Sequence, residues 1–346
     1  MSANELLGMT TPCGWEIFEL IQSKQHSGGN FCTRYLVKSS SGAIAFLKAM
    51  DLSRAFQLGS QDRLNAINKL TSEYLFERHI LNSCKDKNMT KIVVPLSAGE
   101  IQIPNQPPPL DEVYYIIFEK AESDLRQAFL NSSHSIWYRF FRAIKHTCLG
   151  LEQLHRAKIA HQDIKPSNIL NFGNNISKVA DLGRVIDAEG QSPFCGYYFA
   201  GDLNYAPIEI LMNVTISEFE ERFLADLYAV GSLIYHTLMG TQITAALKSE
   251  AILISPYVSR MTYEQSIPIY ETVFFTLLDR LHQHCCDVFD KEIADSVVNT
   301  VQEMCHPNYK KRGNPKVSSL AVRANLRRYT SKINNLLILL KVKGYM

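Results

Sequence analysis

A long hydrophobic run is the first thing this 346-residue chain lacks. Its longest greasy stretch near the end, Leu336 to Leu340, falls far short of the roughly 20 apolar residues a bilayer span needs. No membrane partner is expected. The opening residues, MSANELLGMTTPCGW, contain no basic region followed by an apolar stretch. A secretory signal is therefore not expected, and a soluble, cytoplasmic protein is. An excess of one charge is also missing. A formal net charge of +2 and the absence of a charged tail speak against a nucleic-acid partner. No internal repeat is evident. The eight cysteines do not form a pattern; scattered through a chain of this length, they read as reduced thiols rather than a disulfide framework. His282, His284, Cys285 and Cys286 crowd together in sequence, but on a helix they splay over different faces, so no metal site is read there.

What is present is an ordinary globular composition, 46% apolar and 20% charged, with enough chain for one large or two medium cores. The first third reads as strands at 15–22, 31–38, 43–50, 91–99 and 113–120. These are short β-branched or aromatic segments, the first three set apart by Gly and Ser clusters. Between the third and fourth, a polar segment from Arg54 to Asn68 leads into a helical pattern carried by Leu70, Tyr74, Leu75, Ile80 and Leu81. The Pro-rich stretch 103–112 reads as an exposed loop. After residue 122 the pattern turns helical. Ile136, Phe140, Ile144 and Cys148 recur every four residues, and 221–240 is apolar on nearly all sides, as in a core helix. The stretch from Thr241 to Val298 reads as a loop insertion, with a partner-docking surface as the alternative.

One segment breaks the apolar economy. IAHQDIKPSNIL, residues 159–170, packs His161, Asp163, Lys165 and Asn168 between apolar ends. Phosphoryl transfer has a use for each of them. It needs phosphates held still, a metal to neutralise their charge, and a carboxylate to orient the attacking hydroxyl. Asp163 is the candidate carboxylate and Lys165 the contact to the transferring phosphate. Asn168 is an amide oxygen for magnesium, a hard cation that favours oxygen ligands. His161 reads as structural. Asp181, in the Val-Ala-Asp-Leu-Gly that follows a strand-like segment, is a plausible second metal ligand.

Together these residues resemble the catalytic loop and metal-binding motif of the eukaryotic-type serine/threonine protein kinases, His-Arg-Asp-x-x-x-x-Asn and Asp-Phe-Gly. The resemblance runs roughly from Trp15 to Arg312. It implies an α+β, bilobal protein-kinase fold, with a small mostly β lobe over 1–121 and a larger helical lobe over 122–346, together one kinase domain. It also implies ATP and Mg2+ as cofactors and ATP-dependent phosphorylation of serine/threonine hydroxyls on a protein substrate, with a regulatory protein partner as an option. Lys48 resembles the lysine that holds the α- and β-phosphates. Glu77 resembles its helix partner, with Glu73 one turn earlier as the alternative. Gly28 and Gly29 lie where the phosphate-covering loop would be. Phe118 falls at the back of the adenine pocket, and Glu119-Lys120-Ala121 resembles the adenine-binding hinge. Asp124 could reach the ribose or cap the helix after it. Glu209, ending the Gly201-to-Glu209 segment, should pair with Arg312, and Asp226 should anchor the catalytic loop.

Singly, Lys48 or Asp181 would pass for a solvated charge or a turn residue. The ordered set carries the reading. Two rivals stay open: a small-molecule kinase, because small-molecule phosphotransferases share the Asp-x-x-x-x-Asn core, and a catalytically silent binding module. The silent module draws on two departures at the adenine pocket, beside a poor phosphate-covering loop. The glycine loop keeps only Gly28 and Gly29. If Phe31 is the loop aromatic, Arg34 stands where a small aliphatic residue covers the base. Phe46 stands where alanine is usual, although a one-residue register change in either strand would remove both conflicts. Gln162 replaces the arginine that pairs with a phosphate on the activation segment, so independence from that phosphorylation is expected, even though Ser192, Tyr197 and Tyr198 could accept phosphate. Leu182 replaces a phenylalanine, Asp202 a threonine and Pro207-Ile-Glu the usual Ala-Pro-Glu, which bear on packing and peptide choice.

Overall fold

The computed structural model describes residues 2–21, 32–50, 52, 55, 60–106, 108, 111–127, 135–196, 199–215 and 217–346. Gly28, Gly29, Phe31, Tyr197 and Tyr198 lie outside the described residues. The chain divides into two compact units, Met1–Glu122 with Asp181–Gly183, and Ser123–Ala180 with Arg184–Met346.

In the first unit, β1 (Trp15–Leu20), β2 (Cys32–Ser39) and β3 (Ile44–Met50) are followed by α1 (Ser60–Asp86), β4 (Pro95–Gln102) and β5 (Glu112–Glu119). They form one antiparallel sheet in the order β1-β2-β3-β5-β4. Alternation sets the faces. Ala45, Leu47 and Ala49 of β3 and Tyr35 and Val37 of β2 point into a core shared with Ile17, Ile101, Val113, Tyr115 and Ile117. Lys48 and Phe46 therefore fall on the opposite face.

Three sequence expectations need correction here. The fourth strand begins at Pro95, not Lys91. Met89, Ile92 and Val93 are buried in the connection after α1. Pro95 opens the edge strand, a position where its missing N–H costs no central ladder bond. Ile103, read as exposed loop, is buried, and its N–H donates to Asp111 O (2.6 Å). Leu75 is exposed and belongs to the outer face of α1, whose buried side carries Leu70, Tyr74, Ile80 and Leu81.

The second unit opens with β6 (Ser123–Asp124), α2 (Ile136–Arg156), β7 (Ile159–Ala160), β8 (Ile169–Phe172), β9 (Ile176–Val179) and β10 (Ile186–Asp187). It continues with α3 (Ile208–Leu211), α4 (Glu221–Met239), α5 (Ile243–Ile254), α6 (Tyr263–Val288), α7 (Lys291–Cys305), α8 (Leu320–Arg323) and α9 (Leu326–Val342). Short ladders join β6 to β8, β8 to β9 and β7 to β10. α4 is buried along most of its length, as its all-round apolar sequence requires. α7 approaches it so closely that a Cβ on Gly231 would sit 2.5 Å from Cys305 Sγ and 2.6 Å from Met304 Cβ. The stretch from Thr241 to Val298 is helical rather than an inserted loop, built from α5, α6 and most of α7. Thr262 and Gln265 close a capping box at the start of α6. No described helix is long and apolar enough to cross a membrane.

Arg312 is wholly buried, and its guanidinium grips Glu209 with Nη1 to Oε1 at 2.6 Å and Nη2 to Oε2 at 2.8 Å. Its Nε donates to His306 O at 3.0 Å, and the guanidinium lies over the Tyr228 ring. His306 itself titrates at about 4, because burial disfavours the imidazolium. The unfolded chain takes up that proton near pH 6.5, well above the native value of about 4. Folding stability should therefore fall as pH drops from 6.5 to 4, by up to about 3 kcal/mol. Urea titrations across that window, on the native chain and on His306→Gln, should show the slope flatten in the variant; equal slopes would refute the assignment.

Candidate active site

The catalytic-loop candidates lie between β7 and β8 of the second unit, and buried bonds fix their geometry. Asp226, on α4, accepts from His161 N (2.8 Å) and Gln162 N (2.7 Å) and pairs with His155 Nε2 (2.8 Å). Burial alone would raise the Asp226 carboxyl, but the His155 contact and the backbone donors outweigh it and hold the group below its usual value. His161 accepts Asp163 N–H on Nδ1 (3.2 Å), so its Nε2–H is the donor to Ala180 O (3.1 Å). The loop's backbone is thus tied to one helix and its histidine to the strand end opposite.

Gln162 sits at φ +63°, a left-handed conformation that costs about 1 kcal/mol or more for a non-glycine residue and persists only when its surroundings impose it. Here they do. Its Nε2 donates to Arg222 O (3.1 Å) while its Oε1 accepts from Arg222 Nη1 (3.3 Å). The amide that replaces the family's arginine is therefore engaged by the start of α4.

Asp163 is buried with donors on both oxygens. Oδ1 accepts from Asp202 N (2.9 Å) and Lys165 Nζ (3.2 Å), and Oδ2 from Lys165 Nζ (2.9 Å) and Asn168 Nδ2 (3.2 Å). Asn168 Nδ2 also donates to Asp163 O (2.8 Å), which fixes the amide so that Oδ1 is its acceptor end. Ser167 Oγ donates to that oxygen at 3.3 Å. A hard oxygen held by its own amide nitrogen suits magnesium, and Asp181 offers a carboxylate of the same character. Each oxygen, in its own unit, is of the kind that magnesium takes.

The segment after Asp181 is pinned by its own side chains. Arg184 Nη1 donates to Ala200 O (2.8 Å), and Asp187 accepts from Ser192 N (2.8 Å) and Gln191 N (3.1 Å). The Ser192 hydroxyl, buried, donates to Val185 O (2.7 Å). Gly201 lies against the catalytic loop so tightly that a Cβ there would fall 1.9 Å from Gln162 O. Gly201→Ala should therefore push the segment off the loop and lower phosphate transfer by about 100-fold or more, in line with the cost of a 1 Å misplacement. Transfer within twofold of the native chain would show that the contact does not matter.

The first unit holds the other candidates. Lys48 Nζ pairs with both oxygens of Glu77, at 2.8 and 2.9 Å, and lies 3.6 Å from Asp181 Oδ1. Of the two glutamates left open by the sequence, Glu77 is the lysine's partner. Burial works against the Lys48 ammonium, but Glu77 and Asp181 together hold its pKa well above the usual lysine value. Asp181 has φ +63°, left-handed as Gln162 is in the other unit. Along the sheet, Arg34 lies directly across from Lys48, and Phe46 across from Phe118. The β2–β3 register runs without a shift. No register change relieves the crowding, so Arg34 and Phe46 share the Lys48 face. Glu119 ends β5 opposite Ala45, and Ala121 follows it. Asp124, in the second unit, accepts from Arg126 N (2.8 Å) and Gln127 N (3.2 Å) and pairs with the Arg126 guanidinium, so its carboxylate caps the turn after β6.

Sequence reasoning missed His155, Arg184 and Arg222. His155 meets Asp226 across 71 positions and Arg222 meets Gln162 across 60, separations that carry no local periodic signal.

A family model described as the protein kinase domain matches residues 28–319. The chain belongs to the protein kinase family. Among curated relatives, a "Probable cell division protein kinase" of Encephalitozoon cuniculi is 29% identical over 221 residues, 63% of this chain and 61% of that protein. A mitogen-activated protein kinase of Fusarium vanettenii is 31% identical over 152 residues, covering 42% of this chain and 40% of that one. The serine/threonine-protein kinase PknB of Mycolicibacterium smegmatis is 28% identical over 172 residues, covering 49% and 26%. The chain thus spans less than two thirds of the length of these relatives.

Proposed function

We propose that this chain transfers the γ-phosphoryl group of ATP to serine or threonine hydroxyls of proteins, and that it does so without a phosphate on its activation segment. The observation that carries the reading is Asp163, a buried carboxylate within hydrogen-bond reach of Lys165, Asn168 and the Asp202 backbone. Asp163 orients the substrate hydroxyl and accepts its proton. Lys165, now on Asp163, has a flexible arm that can turn to the transferring phosphate as negative charge develops there. Lys48, kept cationic by Glu77, holds the α- and β-phosphates. Asn168 and Asp181 supply oxygens for magnesium, which neutralises phosphate charge when bound with ATP. Charge stabilisation of this kind supplies most of the rate in phosphoryl transfer.

Two observations support independence from segment phosphorylation. Gln162 is already engaged by Arg222, and the Ser192 hydroxyl is buried in a bond to Val185 O. Phosphatase-treated protein and a Ser192→Ala variant should keep activity within about twofold, since neither treatment removes a charge-assisted contact. Abolition of activity by the phosphatase would refute the independence.

The experiment for the main reading is transfer of labelled γ-phosphate from MgATP to a general protein substrate, with the labelled residue identified. Label on serine or threonine is expected. Label on tyrosine alone, or only on a free small molecule, would sink it. One observation favours a second reading, the silent binding module: Phe46 and Arg34 on the Lys48 face. MgATP should raise the melting temperature of the native chain. If only Phe46→Ala or Arg34→Val responds to MgATP, the face is closed and the silent reading holds.

A further inference from the structure

Within the second unit, away from the Asp163 loop, a cavity of about 370 Å³ opens where the end of α2, the start of α4 and the start of α9 meet. That volume lies in the range of small-ligand sites. Its floor is apolar: Phe223, Ala324 and Leu326 are all buried, and Phe223 stacks on the His155 ring at 3.9 Å between centroids. Its rim is cationic. Arg156, Lys158 and Arg327 are each more than half exposed and stand around it. Arg156 and Arg327, 171 positions apart in the chain, both direct a guanidinium nitrogen at the same oxygen, Oε1 of the largely buried Glu152. Lys158 is met by Glu220 (2.8 Å). α9 also begins here, with Asn325 accepting Arg327 N–H at 2.9 Å.

Two guanidiniums converging on one carboxylate oxygen is the arrangement that binds a phosphate. Each has five N–H donors in a planar fork, and a phosphate presents three oxygens where Glu152 presents one. Two positive charges against one negative leave a residual positive field that a dianion would neutralise better than a carboxylate does. The buried aromatic floor adds a preference for an apolar body beside the phosphate.

We propose that this cavity docks a phosphorylated serine or threonine with an apolar neighbour, on a protein already phosphorylated, with Glu152 as the built-in occupant that the phosphate displaces. The inference rests on the kinase reading for its source: the chain's own reaction makes this group, and a docked product would hold the same protein for further phosphorylation.

The test is titration calorimetry, without ATP, of the full chain with four probes: acetyl-phosphoserine-phenylalanine-amide, the same compound without phosphate, acetyl-phosphoserine-glycine-amide, and inorganic phosphate. The first should bind at least about tenfold more tightly than each of the others, since a charge-assisted phosphate contact and a buried aromatic side chain are each large enough for that factor. The double variant Arg156→Ala/Arg327→Ala, altered only at exposed positions, should lose that binding at least tenfold while keeping its circular dichroism and basal transfer. Glu152→Gln should bind the probe several-fold more tightly, which a purely structural ion pair would not produce. Equal binding with and without phosphate, equal binding of inorganic phosphate, no binding of any probe, or no change in the double variant would each overturn the proposal. Binding and transfer are read separately. Transfer without probe binding sinks this inference alone, and binding by a chain that transfers nothing sinks the kinase reading.

Discussion

Asp163→Asn should lower phosphate transfer by about a thousandfold, close to 4 kcal/mol of barrier, with ATP binding little changed. The asparagine is nearly isosteric but can neither accept the hydroxyl proton nor hold Lys165 by charge. Its environment adds a second cost. Both carboxylate oxygens face donors, from Lys165, Asn168 and Asp202 N, so an NH2 group at either place opposes at least one of them. A melting temperature a few degrees lower is therefore expected together with the loss of rate. Asp163→Ser, which has no NH2 to clash, separates the two effects. If the serine variant keeps more than a tenth of native activity, Asp163 is not the group that accepts the proton. Measuring kcat and KM for ATP at saturating protein substrate would show the fall confined to kcat.

Arg312→Met should be the most damaging single change to the fold. It leaves Glu209, itself buried, with a carboxylate that has lost both nitrogens of its bidentate partner. Breaking one side of a buried ion pair costs roughly 3–5 kcal/mol, which in a domain of this size corresponds to a melting temperature lower by about 10 °C. The loss reaches further than the pair. The same guanidinium bonds His306 O, so the turn after α7 loses a fixture as well. Glu209→Gln together with Arg312→Met should recover part of the stability, because the uncompensated charge is then gone. A double variant less stable than Arg312→Met alone would show that the damage comes from lost packing rather than stranded charge.

The sequence revealed most where polar residues interrupt an apolar segment. Asp163, Lys165 and Asn168 lie within six residues of one short loop, so their spacing alone brings them together. Lys48 stood out only through the resemblance of the ordered set, and its partner was left between two glutamates. Glu73 and Glu77 are one helical turn apart, and only the placement of α1 on the sheet decides which one reaches the lysine. Register behaved the same way: Arg34 opposite Lys48 is a fact of hydrogen bonding between β2 and β3, and either strand read alone allows a slip. The stretch from Thr241 to Val298 was read as an insertion because it looked long for the family, whereas α5, α6 and most of α7 occupy it, with Pro268 inside α6. The close approach at Gly201 depends on where another segment's carbonyl comes to rest, which no pattern in the surrounding residues reports.

The bonds made by Arg184, Asp187 and Ser192 have a consequence for how such a protein would be governed. Where a phosphate holds a segment in place, one enzyme can write the mark, another can erase it, and the number of protein copies stays the same. Bonds from Arg184, Asp187 and Ser192 form as the chain folds and offer nothing to erase. Under the proposed reading, no second enzyme is needed to set these bonds, and abundance becomes one lever on output. For a fixed supply of substrate and of any partner, a twofold change in abundance would then be a twofold change in signal.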